Sequence, residues 1–257
     1  MFEVTILASG SSGNATLVRS EGATILVDAG LSAKQLRERL ALCGIDPKAI
    51  SGILITHEHG DHVKGLPQWC KEYSTPLYCN GHTARVIRDK MKQEATWKIF
   101  ETGASFSIGS LRVQSFSIPH DAVDPVGFVL RENQYSFGFA TDLGYASRLV
   151  IDSLCAVDGL LLEANYDDIL LAQDTKRPWA VKQRISSRHG HLSNQEAASL
   201  LKQLLHQQLR HVVLGHLSAD CNREELALQA IDEIIENSFP LERWCARADQ
   251  LSPTIKL

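Results

Sequence analysis

The segment ITHEHGDHVKG, Ile55 to Gly65, gathers His57, His59 and His62 with Glu58 and Asp61 directly behind the apolar run Ile53 to Ile55. Neutral imidazoles and carboxylates are the ligand set of zinc and related divalent ions. Along extended backbone, residues two apart point the same way, so His57 and His59 are expected to converge on one ion. Gly60 is expected to let the chain turn sharply, so that Asp61 and His62 face a second ion. Four candidate ligands exceed the three protein ligands of a catalytic zinc, which is the reason to expect two ions. The competing reading is a solvated polar loop with no ligand. It leaves the abrupt change from buried strand to concentrated polarity unexplained.

One loop cannot complete two coordination spheres, so further ligands are expected at strand ends later in the chain. His120 closes LRVQSFSIPH, Asp142 closes YSFGFATD and His216 closes HVVLGH. Each follows an apolar run as His57 does, and a carboxylate such as Asp142 can bridge two cations with its two oxygens.

The elements that must carry these residues are legible from patterning. Strands over 2–8, 15–20 and 24–29, joined by short Gly/Ser turns, suggest an antiparallel meander. Ser32 can cap a helix running to about Cys43, and a strand over 52–56 delivers the histidine segment. Helices are expected over 66–74, 82–93, 193–205 and 222–236, the third opened by a Ser193–Glu196 capping box. Further strands are expected near 76–79, 97–101, 105–120, 125–133, 134–142, 159–165, 211–216 and 242–248. Both halves are thus β-rich with helices interspersed. The fold expected is α/β (α+β), a four-layer αββα sandwich in one domain over 1–257, its β-rich halves roughly 1–124 and 125–257.

Composition narrows the class. The 257 residues are 44% hydrophobic with a formal net charge of −4, which gives no global electrostatic argument for nucleic acid or membrane. MFEVTILASGSSGN reads as a first strand instead of a signal peptide, and no apolar stretch reaches the roughly 18 residues of a membrane span. Six cysteines without a C-x-x-C spacing read as reduced thiols of a cytoplasmic protein.

The set His57-Glu58-His59-Gly60-Asp61-His62, then His120, Asp142 and His216 in that order, resembles the metallo-β-lactamase superfamily over nearly the whole chain. That resemblance implies His57, His59 and His120 on a first metal and Asp61, His62 and His216 on a second, with Asp142 bridging. LASGSSGNATLV, LLLEANYD, WAVKQRISSRHGHLSN and LGHLSADCN are similar to the YycJ (WalJ) group, a branch related to RNase Z, RNase J and phosphonate-pathway phosphodiesterases. Class B β-lactamases carry a non-bridging ligand where Asp142 stands, so the aspartate speaks for phosphodiester or thioester hydrolysis.

The chemistry this implies is hydrolysis by a hydroxide held between two cations roughly 3.5–4 Å apart, with the metals neutralising the phosphodiester oxygens. RNase Z-like members imply a histidine at His191 as proton donor to the leaving alkoxide, oriented by the acid Glu163. Asp61, His191 and Glu163 are therefore the expected catalytic set. Lys176, Arg177, Lys182, Arg184 and Arg188 follow one another with no acid between them and can track a phosphate backbone, while Trp179 can stack on a base. Lys182, Arg184 and Arg188, with Ser11 and Asn14 of the turn SGSSGN, are the expected substrate contacts. The function expected is a dinuclear phosphodiesterase, a YycJ-like 5′ exonuclease on DNA in preference to RNA. Two divalent ions are implied, zinc first and manganese second. Hydrolysis of a small cyclic phosphodiester, thioester or β-lactam is the enzymatic alternative, and a non-catalytic metal-binding regulator is the alternative of another class.

Overall fold

A computed structural model describes residues 1–235 and 240–257. Two seven-stranded mixed sheets lie face to face. The first is built from β1 (Glu3–Ala8), β2 (Ala15–Arg19), β3 (Thr24–Val27), β4 (Gly52–Leu54), β5 (Leu77–Asn80) and β6 (Trp97–Phe100), side by side in chain order. The second holds β7 (Ser105–Ile108), β8 (Leu111–Ser117), β9 (Val126–Glu132), β10 (Tyr135–Ala140), β11 (Gly159–Glu163), β12 (His211–Gly215) and β13 (Glu242–Cys245), again in chain order. A short β14 (Ile255–Lys256) returns to the first sheet and pairs antiparallel with β1. The change of sheet falls between Phe100 and Ser105, ahead of the division expected near residue 124.

The alternation of side chains along each strand builds three apolar layers. Between the sheets, Val4, Ile6, Val18, Ile25 and Val27 meet Phe128, Leu130, Phe137, Phe139, Leu161 and Val213. On the outer face of the first sheet, Leu26 and Ile53 pack under α1 (Ala33–Leu42), α3 (Leu66–Glu72) and α4 (Gly81–Met91), with Leu36, Leu40, Trp69 and Ile87 supplied by the helices. On the outer face of the second sheet, Val129, Leu160, Leu162 and Leu214 take α5 (Arg148–Leu154), α8 (Asn194–Leu204) and α9 (Glu224–Asp232). Helix, sheet, sheet, helix is the order expected from the sequence.

Local signals hold where they are chemical. Ser32 and Ser193 both form complete capping boxes, with Gln35 and Glu196 respectively, and β1, β2 and β3 form the antiparallel meander. Boundaries differ where the backbone leaves the strand early. The strands expected over 24–29 and 52–56 stop at Val27 and Leu54, because Asp28 takes a left-handed φ of 61° and Thr56 turns to bond its carboxylate. The run 105–120 is split by a turn at Gly109 with φ 59°, and the last expected strand ends at Cys245. Helix α9 ends at Asp232, and the expected end at 236 lies outside the described residues. Four short α-helices were not apparent from patterning: α2 (Gly60–Val63), α5, α6 (Asp168–Gln173) and α7 (Trp179–Ile185). Their few residues carry too little periodicity to register.

Phe128 is fully buried between the sheets. Replacing it with alanine should lower the unfolding free energy by about 3–5 kcal/mol in urea denaturation, through lost transfer energy and the cavity left behind. A loss below about 1 kcal/mol would mean that the inter-sheet layer collapses around the gap.

Candidate metal centre

Sheet geometry decides which side chains can meet. Strands β10, β11 and β12 run parallel, and β8 runs parallel to β10 because both are antiparallel to β9. Their C-terminal ends therefore share one edge, and from that edge project His120, Asp142, Glu163 and His216. In the facing sheet β1, β3 and β4 likewise run in one direction, so the turn 9–14, Asp28 and His57 gather at one edge. Expected ligands separated by as many as 159 positions, His57 and His216, come together for this reason.

Among the described residues, three groups have their donor atoms within 4.8 Å of one another: His57, His59 and His120 in the first, Asp61, His62, Asp142 and His216 in the second, and Asp142, Glu163, His191 and His216 in a third that overlaps the second. In the first, His59 Nδ1 lies 3.4 Å from His120 Nε2. In the second, His216 Nε2 stands 3.2 Å from Asp61 Oδ2 and 3.4 Å from Asp142 Oδ1, and His62 Nε2 stands 3.1 Å from Asp142 Oδ2. Asp142 Oδ1 is also 3.7 Å from His120 Nε2, so its carboxylate stands between the first group and the second. The structure brings all seven of the expected residues together.

The donor set fits divalent ions on a further observation. His57 Nε2 is a buried atom without a hydrogen-bond partner among the described residues. Such orphaned donors and acceptors are costly unless a cation takes them. His57, His62, His120 and His216 are held from behind by Nδ1 so that Nε2 faces inward, whereas His59 turns Nδ1 towards His120. His62 Nδ1 donates to Asp28 Oδ2 at 2.8 Å, His120 Nδ1 to the Gly190 carbonyl at 3.0 Å and His216 Nδ1 to Glu163 Oε1 at 3.2 Å. His57 Nδ1 donates to Thr56 Oγ1 at 3.0 Å, whose hydroxyl in turn donates to Asp28 Oδ2 at 2.9 Å. Outer partners of this kind fix the tautomer and orientation of metal-binding histidines.

Charge follows the same arrangement. Burial opposes ionisation of His216, but Asp142, Asp61 and Glu163 raise its pKa to about 10. Burial likewise opposes the Glu163 carboxylate, yet His191 and His216 hold it down to about 2. His57, surrounded by other imidazoles and fully buried, is driven towards its neutral form.

Glu163 is the hinge between the ligands and the expected proton donor. Its Oε1 accepts from His191 Nδ1 at 2.7 Å, and its Oε2 accepts the backbone N–H groups of Leu143 at 2.8 Å and Leu192 at 3.1 Å. The His191 ring is partly exposed and stacks 5.2 Å from that of His216. Burial disfavours its cation, but the Glu163 carboxylate outweighs that and raises its proton affinity.

The expected substrate contacts fare unevenly. Asn14 is buried, and its side-chain amide is committed to the site itself: Oδ1 accepts from the Gly10 N–H at 2.9 Å, and Nδ2 reaches His62 Nε2 at 3.1 Å. Asn14 therefore positions ligands and is not free for a phosphate. Ser11 is exposed on the turn. The basic run is mostly neutralised by acids distant in sequence. Lys176 and Arg177 pair with Asp220, Arg177 also with Asp174, and Arg184 with Asp121. Lys182 donates to the Ala172 carbonyl at 2.8 Å. Trp179 is 70% exposed at the start of α7 (Trp179–Ile185).

Three features lay beyond sequence reasoning. Asp28 is the hub behind His62 and Thr56, hidden because VDAG reads as an ordinary strand end. Gly60 is not a flexible turn: it opens α2, and His59 serves as the N-terminal cap. The glycine that matters is Gly30, where a Cβ would lie 1.6 Å from the Asp61 carbonyl oxygen. That carbonyl also accepts the Asn14 N–H at 2.7 Å, so the first sheet grips α2 directly.

Comparison with known proteins agrees with this geometry. The family model of the β-lactamase superfamily domain matches residues 23–217. The chain is 33% identical over 234 residues to exodeoxyribonuclease YycJ of Bacillus anthracis, across 90% of this chain and 88% of that one. It is 37% identical over 230 residues to exodeoxyribonuclease WalJ of Streptococcus pneumoniae, across 88% and 85%. Among solved structures, the metallo-β-lactamase fold protein YhfI of Bacillus subtilis superposes with a TM-score of 0.76 at 16% identity, over 98% of this chain and 100% of that one, a likeness of fold.

Asp28→Asn should leave the fold intact and weaken metal retention about 10–100-fold, since His62 loses its charged outer partner. Metal content after dialysis against graded chelator checks this, and retention equal to wild type would remove Asp28 from the centre.

Proposed function

The chain belongs to the β-lactamase superfamily domain family, with relatives of the YycJ and WalJ kind, and on that premise we propose that it is a metal-dependent exonuclease that shortens DNA from a 5′ end. The observation that carries the reading is Asp142, 2% exposed, with its two oxygens between two groups of imidazoles. A two-ion site of this kind serves phosphodiester hydrolysis, in which charge must be neutralised on several oxygens at once. Preference for DNA over RNA is supported by the activity for which both relatives are named.

Two divalent ions held by His57, His59, His120, Asp61, His62, Asp142 and His216 would supply Lewis acidity towards water and the phosphodiester. Zinc is favoured by five imidazoles against two carboxylates, with manganese the alternative that the carboxylates admit. The protein groups do the rest. Asp61 and Asp142 bring the negative charge that a pair of cations requires. Glu163 Oε1 holds His191 by Nδ1 at 2.7 Å, which leaves Nε2 as the nitrogen that carries a transferable proton. From Nε2 the proton passes to the leaving alkoxide, and Glu163 stabilises the imidazolium before transfer. A cytoplasmic setting is supported by six unpaired cysteines, as a reducing compartment maintains them. No helix among the described residues is long and apolar enough to cross a membrane.

The test is metal-loaded protein with end-labelled DNA and RNA, single- and double-stranded. Loss of label from 5′ ends of DNA is expected, and degradation confined to RNA would overturn the choice of substrate. Asp61→Ala should lose one ion and activity together. His191→Ala should keep both ions while turnover falls about 10²–10⁴-fold, and undiminished turnover would strip His191 of its role.

A further inference from the structure

The basic run before His191 resolves into unequal parts. Of its five cations, Lys176, Arg177 and Arg184 are spent on carboxylates and Lys182 on a backbone carbonyl. Among the described residues, Arg188 alone of the five has no oxygen partner. Its guanidinium carbon instead lies 4.1 Å from the centre of the Tyr145 ring, and the residue is exposed. A stacked guanidinium is held in place by its face while its in-plane N–H donors stay free. Those donors form the fork that reads a phosphate in two hydrogen bonds.

The location is not that of a casual surface contact. Tyr145 follows Asp142 by three residues, and Arg188 precedes His191 by three. The two loops are locked together: a Cβ on Gly144 would lie 2.3 Å from the Arg188 carbonyl oxygen, and the Gly144 N–H donates to the Pro119 carbonyl at 2.8 Å, one residue before His120. A second lock fixes the other side, where a Cβ on Gly190 would lie 2.1 Å from the Ile185 carbonyl and the His191 N–H donates to that same carbonyl at 2.8 Å. The backbone carrying Arg188 is thus tied to the segments that carry Asp142, His120 and His191.

From this we infer that Arg188, braced on Tyr145, is the phosphate-binding residue of the run, engaging a backbone phosphate of the nucleic acid beside the one being cleaved. The inference rests on the nuclease reading above and goes beyond it in assigning this contact to a stacked pair and withdrawing it from Lys182 and Arg184. A small monodiester offers no second phosphate, so the pair favours a substrate with several phosphates, as a chain of nucleotides has, over a small diester.

The experiment compares Arg188→Ala, Arg188→Lys, Tyr145→Leu and Tyr145→Phe with wild type, on end-labelled DNA over a series of salt concentrations and on bis-p-nitrophenyl phosphate. Metal content and melting temperature are measured alongside. Arg188→Ala should raise KM for DNA about tenfold and reduce the slope of log affinity against log salt by about 1, the mark of one lost phosphate contact. Its loss of kcat/KM on DNA should exceed that on the small diester by about tenfold. Arg188→Lys should keep the salt slope and lose part of the affinity, because the charge survives and the fork does not. Tyr145→Leu should follow Arg188→Ala in direction, and Tyr145→Phe should match wild type because the ring is kept. An unchanged salt slope in Arg188→Ala, or equal losses on both substrates, would overturn the assignment. Wild type that hydrolyses the small diester and no nucleic acid would instead overturn the nuclease reading beneath it.

Discussion

A carboxylate buried among imidazoles governs this molecule. Asp142 has three histidine nitrogens within 3.7 Å and almost no access to water. An isolated charge in that position would be prohibitive. Its neighbours must be cationic, whether as protonated rings or as rings holding metal. Each ring is in turn held by something behind it: His62 by Asp28, His216 by Glu163, His120 by a carbonyl. The site is therefore a nested set of charges in which the outermost members are ordinary backbone groups of the loops around the strand ends.

The sandwich exists, from this point of view, to present strand ends. Parallel strands β10 to β12 and their counterparts in the first sheet place their carboxyl ends at the two facing edges, and the inter-sheet layer of valine, leucine and phenylalanine fixes the distance between them. Ligands from both edges then meet with little need for long loops. Gly30 makes that approach possible by admitting the Asp61 carbonyl where any side chain would stand. The ligand segment is rigid for the same reason that the core is.

Much of this was legible in the sequence, and the reason is chemical. His57, His59, Asp61 and His62 announce themselves because such density of ligand types has no other use behind an apolar run. His120, Asp142 and His216 follow because polar residues at the ends of buried strands are conspicuous once a partner is known. Layer order could be inferred from the succession of strands and helices. What stayed hidden was anything that depends on approach in space. Asp28 looks like a turn residue until Thr56 and His62 are placed beside it. Arg184 looks like a free cation until Asp121 is placed beside it. Asn14, in a glycine-serine turn, suggested a phosphate cradle, whereas its amide is tied to Gly10 and His62.

The left-handed backbone at three members of the centre has an evolutionary side. Asp28, Asp142 and His216 have φ of 61°, 58° and 56°, a region that side chains other than asparagine, aspartate and glycine enter at a cost. Among replacements that keep a side chain, asparagine is thus the one that the main chain at Asp142 would accept most readily, and it differs from aspartate by the one property the chemistry needs. Descendants selected for the fold and no longer for the chemistry would be expected to tolerate that exchange, leaving well-folded chains with one charge fewer to hold a cation.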